Sequence, residues 1–221
     1  MSFELSLTDN PSTRCPVTLL LDTSTSMQGA PIRELQEGVQ QFISAMQEDD
    51  MARYSVELSI TTFGNGVEQI QDFTEVANIS APEKIQAYGN TPMGEALDKA
   101  LDNLQSQQKL YAANGIPAYK PWLVLMSDGM PTDEWKYAAQ RACDKALAGK
   151  LLFLGIGIGQ VDLENFAQIL PDNCPPKRLQ GLKFNEFFTW LSDSLSQVSR
   201  SADGHTVQLA STDSWAQVSP F

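Results

Sequence analysis

The sequence predicts a doubly wound α/β fold, with a mostly parallel six-stranded sheet, helices on both faces and one antiparallel edge strand. Three observations predict it. The short apolar runs at residues 17–22 (VTLLLD) and 122–127 (WLVLMS) lack polar alternation, as strands buried on both faces do. Between such runs, apolar residues recur three and four apart, the period of helices that cover a sheet. Both runs also stop at a carboxylate, Asp22 and Asp128, and open α/β sheets bind ligands beyond the carboxyl ends of their strands.

After the first strand, Pro31 suits a first helical turn. Ile32, Leu35, Val39, Phe42, Ile43 and Met46 then mark an amphipathic helix that ends near Glu48-Asp49-Asp50. Residues 55–63 (SVELSITTF) read as the second strand. The Gly64-Asn65-Gly66 turn sends residues 67–73 back as the antiparallel edge strand. Residues 82–87 read as one or two helical turns. Met93, Ala96, Leu97, Ala100, Leu101 and Leu104 define a helix over 92–108, and 111–120 reads as a loop. Beyond the strand at 122–127, Thr132 or Asp133 is placed to cap a helix running to about Ala148. Residues 150–158 read as strand, 162–169 as a short helix and 178–182 as a last strand. Phe184, Phe187, Phe188, Leu191, Leu195 and Val198 make the closing helix. The division that follows is an N-terminal extension (1–14), one domain (15–200) and a polar C-terminal tail (201–221) with a packed segment around Trp215.

Composition narrows the function. The 221 residues are 42% hydrophobic, enough to fill a core, and carry a net charge of -12. So negative a surface repels phosphate backbones and anionic lipid, so neither nucleic acid nor membrane is expected as a partner. No apolar run reaches the ~20 residues of a membrane helix, and residues 1–15 show no signal peptide. Three widely spaced cysteines fit neither a zinc site nor a disulfide framework, and reduced thiols in a cytoplasmic protein are expected. His205, the one histidine, falls in the tail, which excludes Ser-His-Asp and Cys-His catalysis.

The chemistry-bearing pattern is Asp22-Thr-Ser24-Thr-Ser26. It sets a carboxylate and two hydroxyls at alternate positions leaving a strand, where extended backbone can turn them to one point. Hard cations take oxygen ligands, and neutral hydroxyls leave much of the ion's charge unquenched, ready for an incoming carboxylate. Gly89-Asn-Thr91-Pro92-Met-Gly94, a polar turn before a helix, offers the Thr91 hydroxyl. Ser127-Asp128-Gly129 offers a second carboxylate. If the strands at 17–22 and 122–127 are neighbours, the three loops converge.

With these residues the sequence resembles the von Willebrand factor A domain family, whose metal-ion-dependent adhesion site combines D-x-S-x-S with a distant threonine and a distant aspartate. The resemblance covers about residues 15–200. The stretches LLLDTSTSM, GNTPMGEAL, LMSDGMPTDEW and FNEFFTWLSDSLSQVSRS carry a finer likeness to stand-alone bacterial TerY-type proteins of tellurite-resistance and stress systems. The resemblance implies one Mg²⁺, with Mn²⁺ or Ca²⁺ as substitutes, held by Asp22, Ser24, Ser26, Thr91 and Asp128. The three hydroxyls would be direct ligands or switchable ones, and the two aspartates would act more often through water. It also implies a binding module rather than an enzyme: a partner protein's Asp or Glu completes the metal shell, and kinase-like or phosphatase-like partners are those expected. One departure stands out. Thr25 occupies a position where many members have glycine, and a positive φ there would strain a β-branched residue.

Other signals have plainer readings. Gly155-Ile-Gly157-Ile-Gly159 misses the last glycine of a dinucleotide loop and reads as tight strand packing. Met27, Met93 and Met130 flank the proposed ligands, either as an apolar rim for a partner or as loop anchors. Asp133-Glu134 reads as a helix start. Trp122, Trp135 and Trp190 read as core. Two alternative functions remain at this level. A Mg²⁺-dependent phosphohydrolase would use Asp22 as nucleophile, but the second carboxylate of such sites is Ser24 here. A structural subunit would keep the metal site as a vestige.

Overall fold

The computed structural model describes residues 10–201 and 211–216. Six strands, β1 (Cys15–Asp22), β2 (Val56–Gly64), β3 (Gly66–Glu75), β4 (Trp122–Ser127), β5 (Leu152–Gly157) and β6 (Lys177–Arg178), form one sheet in the order β3-β2-β1-β4-β5-β6. All neighbouring pairs are parallel except β2–β3, the hairpin that makes one edge antiparallel. The predicted fold class is the observed one. Strand order reverses direction between β1 and β4, so the crevice at their carboxyl ends is the switch point of the sheet.

Helices cover both faces. On one lie α1 (Ala30–Glu48), the short α2 (Ala52–Ser55) and α6 (Phe184–Arg200); on the other lie α3 (Met93–Ala113), α4 (Lys136–Leu147) and α5 (Leu163–Ala167). The apolar spacings read from the sequence are the buried faces: Leu35, Val39, Phe42 and Met46 of α1 and Phe187, Leu191 and Leu195 of α6 are all buried. Phe42 and Phe188 bring α1 and α6 together with ring centroids 5.7 Å apart. Trp215, buried, covers the amino-terminal turns of α6 by packing edge-on against Phe187 at 4.9 Å. The packed segment expected there is real, whereas His205 lies outside the described residues.

Several boundaries differ from expectation for identifiable reasons. Residues 82–87 form no helix. The side chain of Gln36 on α1 donates to the Glu83 carbonyl (2.8 Å) and accepts from the Ile85 N–H (3.0 Å), and Gln40 Nε2 donates to Pro82 O (3.3 Å). Those side chains satisfy backbone groups that a helical turn would otherwise pair. Helix α3 runs to Ala113, past the predicted end at 108. Its apolar period stops at Leu104, but Gln107 and Tyr111 are held by hydrogen bonds to buried Glu57 at 2.7 and 2.6 Å. Strand β6 has two residues instead of the predicted five, after which Leu179 bridges to Ala216 of the C-terminal segment. Gly155 does serve close packing: a Cβ there would lie 2.1 Å from Leu170 Cδ1. Trp122 and Trp190 are core, while Trp135 is only partly buried. All three cysteines are free thiols, and burial pushes that of Cys15 up to about 12, so it stays protonated.

Candidate metal centre

Parallel pairing of β1 with β4, Leu21 opposite Met126, sets the ends of the two strands side by side. Asp22 is the last residue of β1 and fully buried. Its Oδ1 accepts the Ser24 N–H (2.8 Å) and its Oδ2 accepts the Ser127 hydroxyl (2.5 Å). Beyond it the chain turns through a short 3-10 segment, Thr25–Met27, which carries Ser26 to the surface. The Ser24 and Ser26 hydroxyls are 3.0 Å apart, and Ser26 Oγ donates to Asp128 Oδ1 at 2.7 Å. Four of the five expected residues, Asp22, Ser24, Ser26 and Asp128, thus form one connected chain of oxygens that runs from the buried strand end to solvent.

Thr91 reaches the same edge by a different route. No hydrogen bond joins its side chain to the other four. Its loop is stitched to theirs through Gly89, whose carbonyl accepts both the Thr25 N–H (3.1 Å) and the Thr25 hydroxyl (3.0 Å), and through Tyr88 N–H to Thr23 O (2.8 Å). Thr91 is buried. Its N–H donates to Thr132 Oγ1 (3.0 Å) and its carbonyl accepts from Thr132 N–H (2.9 Å) and Met93 N–H (2.8 Å). The hydroxyl is its one polar atom without a hydrogen bond among the described residues.

The electrostatics of the cluster are unusual in one respect. Burial pushes the Asp22 carboxyl up to about 6, the neighbouring Asp128 charge adds to the rise, and the hydrogen bonds from Ser127 and Ser24 oppose it. Among the described residues, neither aspartate is in an ion pair with a lysine or arginine. Two carboxylates therefore share a strand-end crevice with hydroxyls and no cation of the protein's own. Nor are three or more His, Cys, Asp or Glu side chains placed to hold a metal ion among the described residues, so a cation held here would take hydroxyl oxygens as well as carboxylates. That donor set is all oxygen, the chemistry Mg²⁺ and Ca²⁺ select. The residues fit such an ion.

The structure removes the concern over Thr25, since no residue other than glycine has a positive φ among those described. It also corrects two readings. Asp133 does not cap α4: its two oxygens accept the N–H groups of Gly94 (3.0 Å) and Glu95 (2.9 Å), capping α3 from another loop. Thr132 likewise binds Thr91, and α4 starts at Lys136 without a side-chain cap, Glu134 Oε1 taking only the Lys136 N–H. The N-terminus of α3 needs this help because its N-cap is Pro92, whose side chain has no oxygen. The methionines are anchors rather than a rim: Met27 and Met93 are fully buried, and Met130 is partly buried against the α3 side of the core. Sequence reasoning missed Ser127 and Thr132 as partners of the candidate ligands. Their signal was adjacency, a hydroxyl beside or near each distal ligand.

The fold and this site define a class. The model of the von Willebrand factor type A domain matches residues 17–196, and the chain belongs to that family. Solved structures of the same fold include the pilus adhesin SpaC from Lactobacillus rhamnosus GG in its open conformation (TM-score 0.69, 14% identity, 84% of this chain and 30% of that one). Others are a von Willebrand factor type A protein from Catenulispora acidiphila (0.60, 16%, 84% and 43%) and proximal thread matrix protein 1 of the mussel byssus with a zinc-occupied MIDAS motif (0.56, 16%, 84% and 48%). The chain spans less than half the length of each of these, and at such identities the likeness is one of fold. No curated protein sequence matches this chain significantly. Among the described residues, no helix is long and apolar enough to cross a membrane.

Proposed function

We propose that this chain is a metal-ion-dependent protein-binding module and not an enzyme. Asp22, Ser24, Ser26, Thr91 and Asp128 would hold one divalent cation, Mg²⁺ in the cell and Mn²⁺ or Ca²⁺ in its place in vitro. When bound, the ion supplies a concentrated positive charge that an acidic side chain of a partner can complete. The observation that carries the reading is the pair of carboxylates at the β1–β4 switch point, one fully buried, with neither in an ion pair to a lysine or arginine among the described residues. A buried carboxylate without a counter-charge is costly unless it is protonated or meets a cation. The chain's own part is clear. Ser24 N–H and Ser127 orient Asp22, and Ser26 holds Asp128 toward the same crevice. The outward exposure of Ser26 leaves the cluster open to a protein surface.

Support for a binding role also comes from the names of proteins sharing the fold, which include a pilus adhesin and a matrix protein whose MIDAS motif holds zinc. The finer part of the reading rests on sequence likeness alone. It makes the chain a TerY-like cytoplasmic adaptor in a bacterial stress, tellurite-resistance or phosphorylation circuit, its partner kinase-like or phosphatase-like and supplying an Asp or Glu. Pull-down from the native cell, with and without chelator and with Asp22→Ala as control, tests metal and partner together. Capture that needs both the metal and Asp22 is the expected result. Capture indifferent to both refutes the module, and phosphate-ester turnover lost in Asp22→Asn would make it a phosphohydrolase instead.

A further inference from the structure

Two of the loops that carry proposed ligands are closed on each other by four hydrogen bonds. Thr91 and Thr132 exchange one pair, Thr91 N–H to Thr132 Oγ1 (3.0 Å) and Thr132 N–H to Thr91 O (2.9 Å). Asp133 supplies the other pair to Gly94 and Glu95 at the start of α3. Gly94 allows the closure, because a Cβ on it would lie 2.0 Å from the Glu134 carbonyl oxygen. Pro92 adds a local restraint, confining the preceding Thr91 to extended backbone.

Within this clasp the two residues differ. Asp133 caps a 21-residue helix, a task of general stability. Thr132 is exposed, fills no part of the core, and among the described residues its side chain makes one hydrogen bond, accepting the Thr91 N–H. Asp128 lies four positions before Thr132 in the chain, on the same loop. We propose that Thr132 is a positioning residue of the metal centre: by gripping the Thr91 backbone from both sides, it fixes the Thr91 hydroxyl relative to Asp128. This rests on the metal reading above. Partners behind a metal's direct ligands commonly govern affinity through orientation alone, and their loss costs about 10–100-fold.

The test compares the native chain with Thr132→Val, an isosteric change that deletes the acceptor, and Thr132→Ser, which restores it. Mn²⁺ titration followed by the electron paramagnetic resonance of free Mn²⁺ reads affinity, and thermal melting in chelator reads the metal-free fold. The expected result is a dissociation constant about tenfold higher in Thr132→Val and within about threefold of native in Thr132→Ser. The metal-free melting temperature should fall by about 2–4 °C in Thr132→Val, the share of one lost hydrogen bond, and stay within ~2 °C of native in Thr132→Ser. Native affinity in Thr132→Val overturns the role, as does failure of Thr132→Ser to rescue. A metal-free melting temperature lower by more than about 5 °C in Thr132→Val would also overturn it, making Thr132 a general support of the loop. If the native chain takes up no Mn²⁺, the metal site itself is refuted, a result distinct from the others.

Discussion

The two ends of strand β1 each bury a carboxylate cluster, and they solve its cost differently. At the amino end, Glu57 of β2 is buried beside Arg14, with Arg14 Nε 2.9 Å from Glu57 Oε1 and its guanidinium 3.3 Å from Glu75. Tyr111 and Gln107 donate to the other Glu57 oxygen. Burial raises the Glu57 carboxyl, and the Tyr111 hydrogen bond and the Arg14 charge oppose the rise. At the carboxyl end, Asp22 has hydroxyl and backbone donors but no guanidinium, and Asp128 adds a second negative charge. The amino-end cluster is completed by the chain itself, as a structural network is. The carboxyl-end cluster has no such counter-charge among the described residues, and in the proposed function a cation from solution takes that place.

The largest expected effect breaks the complete cluster. Arg14→Met leaves Glu57 buried without its counter-charge and should cost roughly 3–5 kcal/mol in denaturant unfolding, with part recovered in Arg14→Met/Glu57→Gln. The metal response of whatever remains folded should be unchanged. At the other end the sign reverses. The folded-state pKa of Asp22, about 6, lies above the ordinary value of 3.8, so the folded chain binds the extra proton in that window. Stability of the metal-free protein therefore falls as pH rises from about 4 through about 6. Asp22→Asn should melt higher than native in chelator above pH 6, by an amount worth roughly 2–3 kcal/mol, and the gap should close below pH 4. Added Mg²⁺ should raise the melting temperature of native protein and leave that of Asp22→Asn where it was.

Smaller changes sharpen the contrast. Tyr111→Phe removes one donor from Glu57 and should cost about 1–2 kcal/mol with no change in Mg²⁺ response. Thr25→Gly should cost about 0.5–1 kcal/mol and give no gain in metal affinity, because Thr25 is unstrained and its hydroxyl binds Gly89 O. Both follow from urea unfolding and Mn²⁺ titration of the same samples.

How much of the molecule was legible in its sequence depended on the kind of signal. Strands β1 and β4 and helices α1 and α6 declared themselves through apolar runs and spacing, since burial on one or both faces imposes those patterns along the chain. As candidate ligands, Asp22, Ser24 and Ser26 were legible as a local motif, and Thr91 and Asp128 through their places at a helix start and a strand end. What stayed hidden was polar pairing between distant segments. Nothing local shows that Asp133 caps a helix some forty residues earlier in the chain, that Gln36 replaces a helical turn at 82–87, or that Glu57 extends α3 to Ala113. The local reading of Asp133 as a cap had the right chemistry and the wrong helix.

Isothermal titration of Mg²⁺ into chelator-stripped native protein at pH 7.5, with Asp22→Asn as the paired sample, bears most directly on whether the carboxyl end of β1 awaits an outside cation. One saturable site in the native chain, absent in Asp22→Asn, is the predicted result. No heat of binding and no melting shift in the native chain, with Mn²⁺ and Ca²⁺ equally silent, would contradict it.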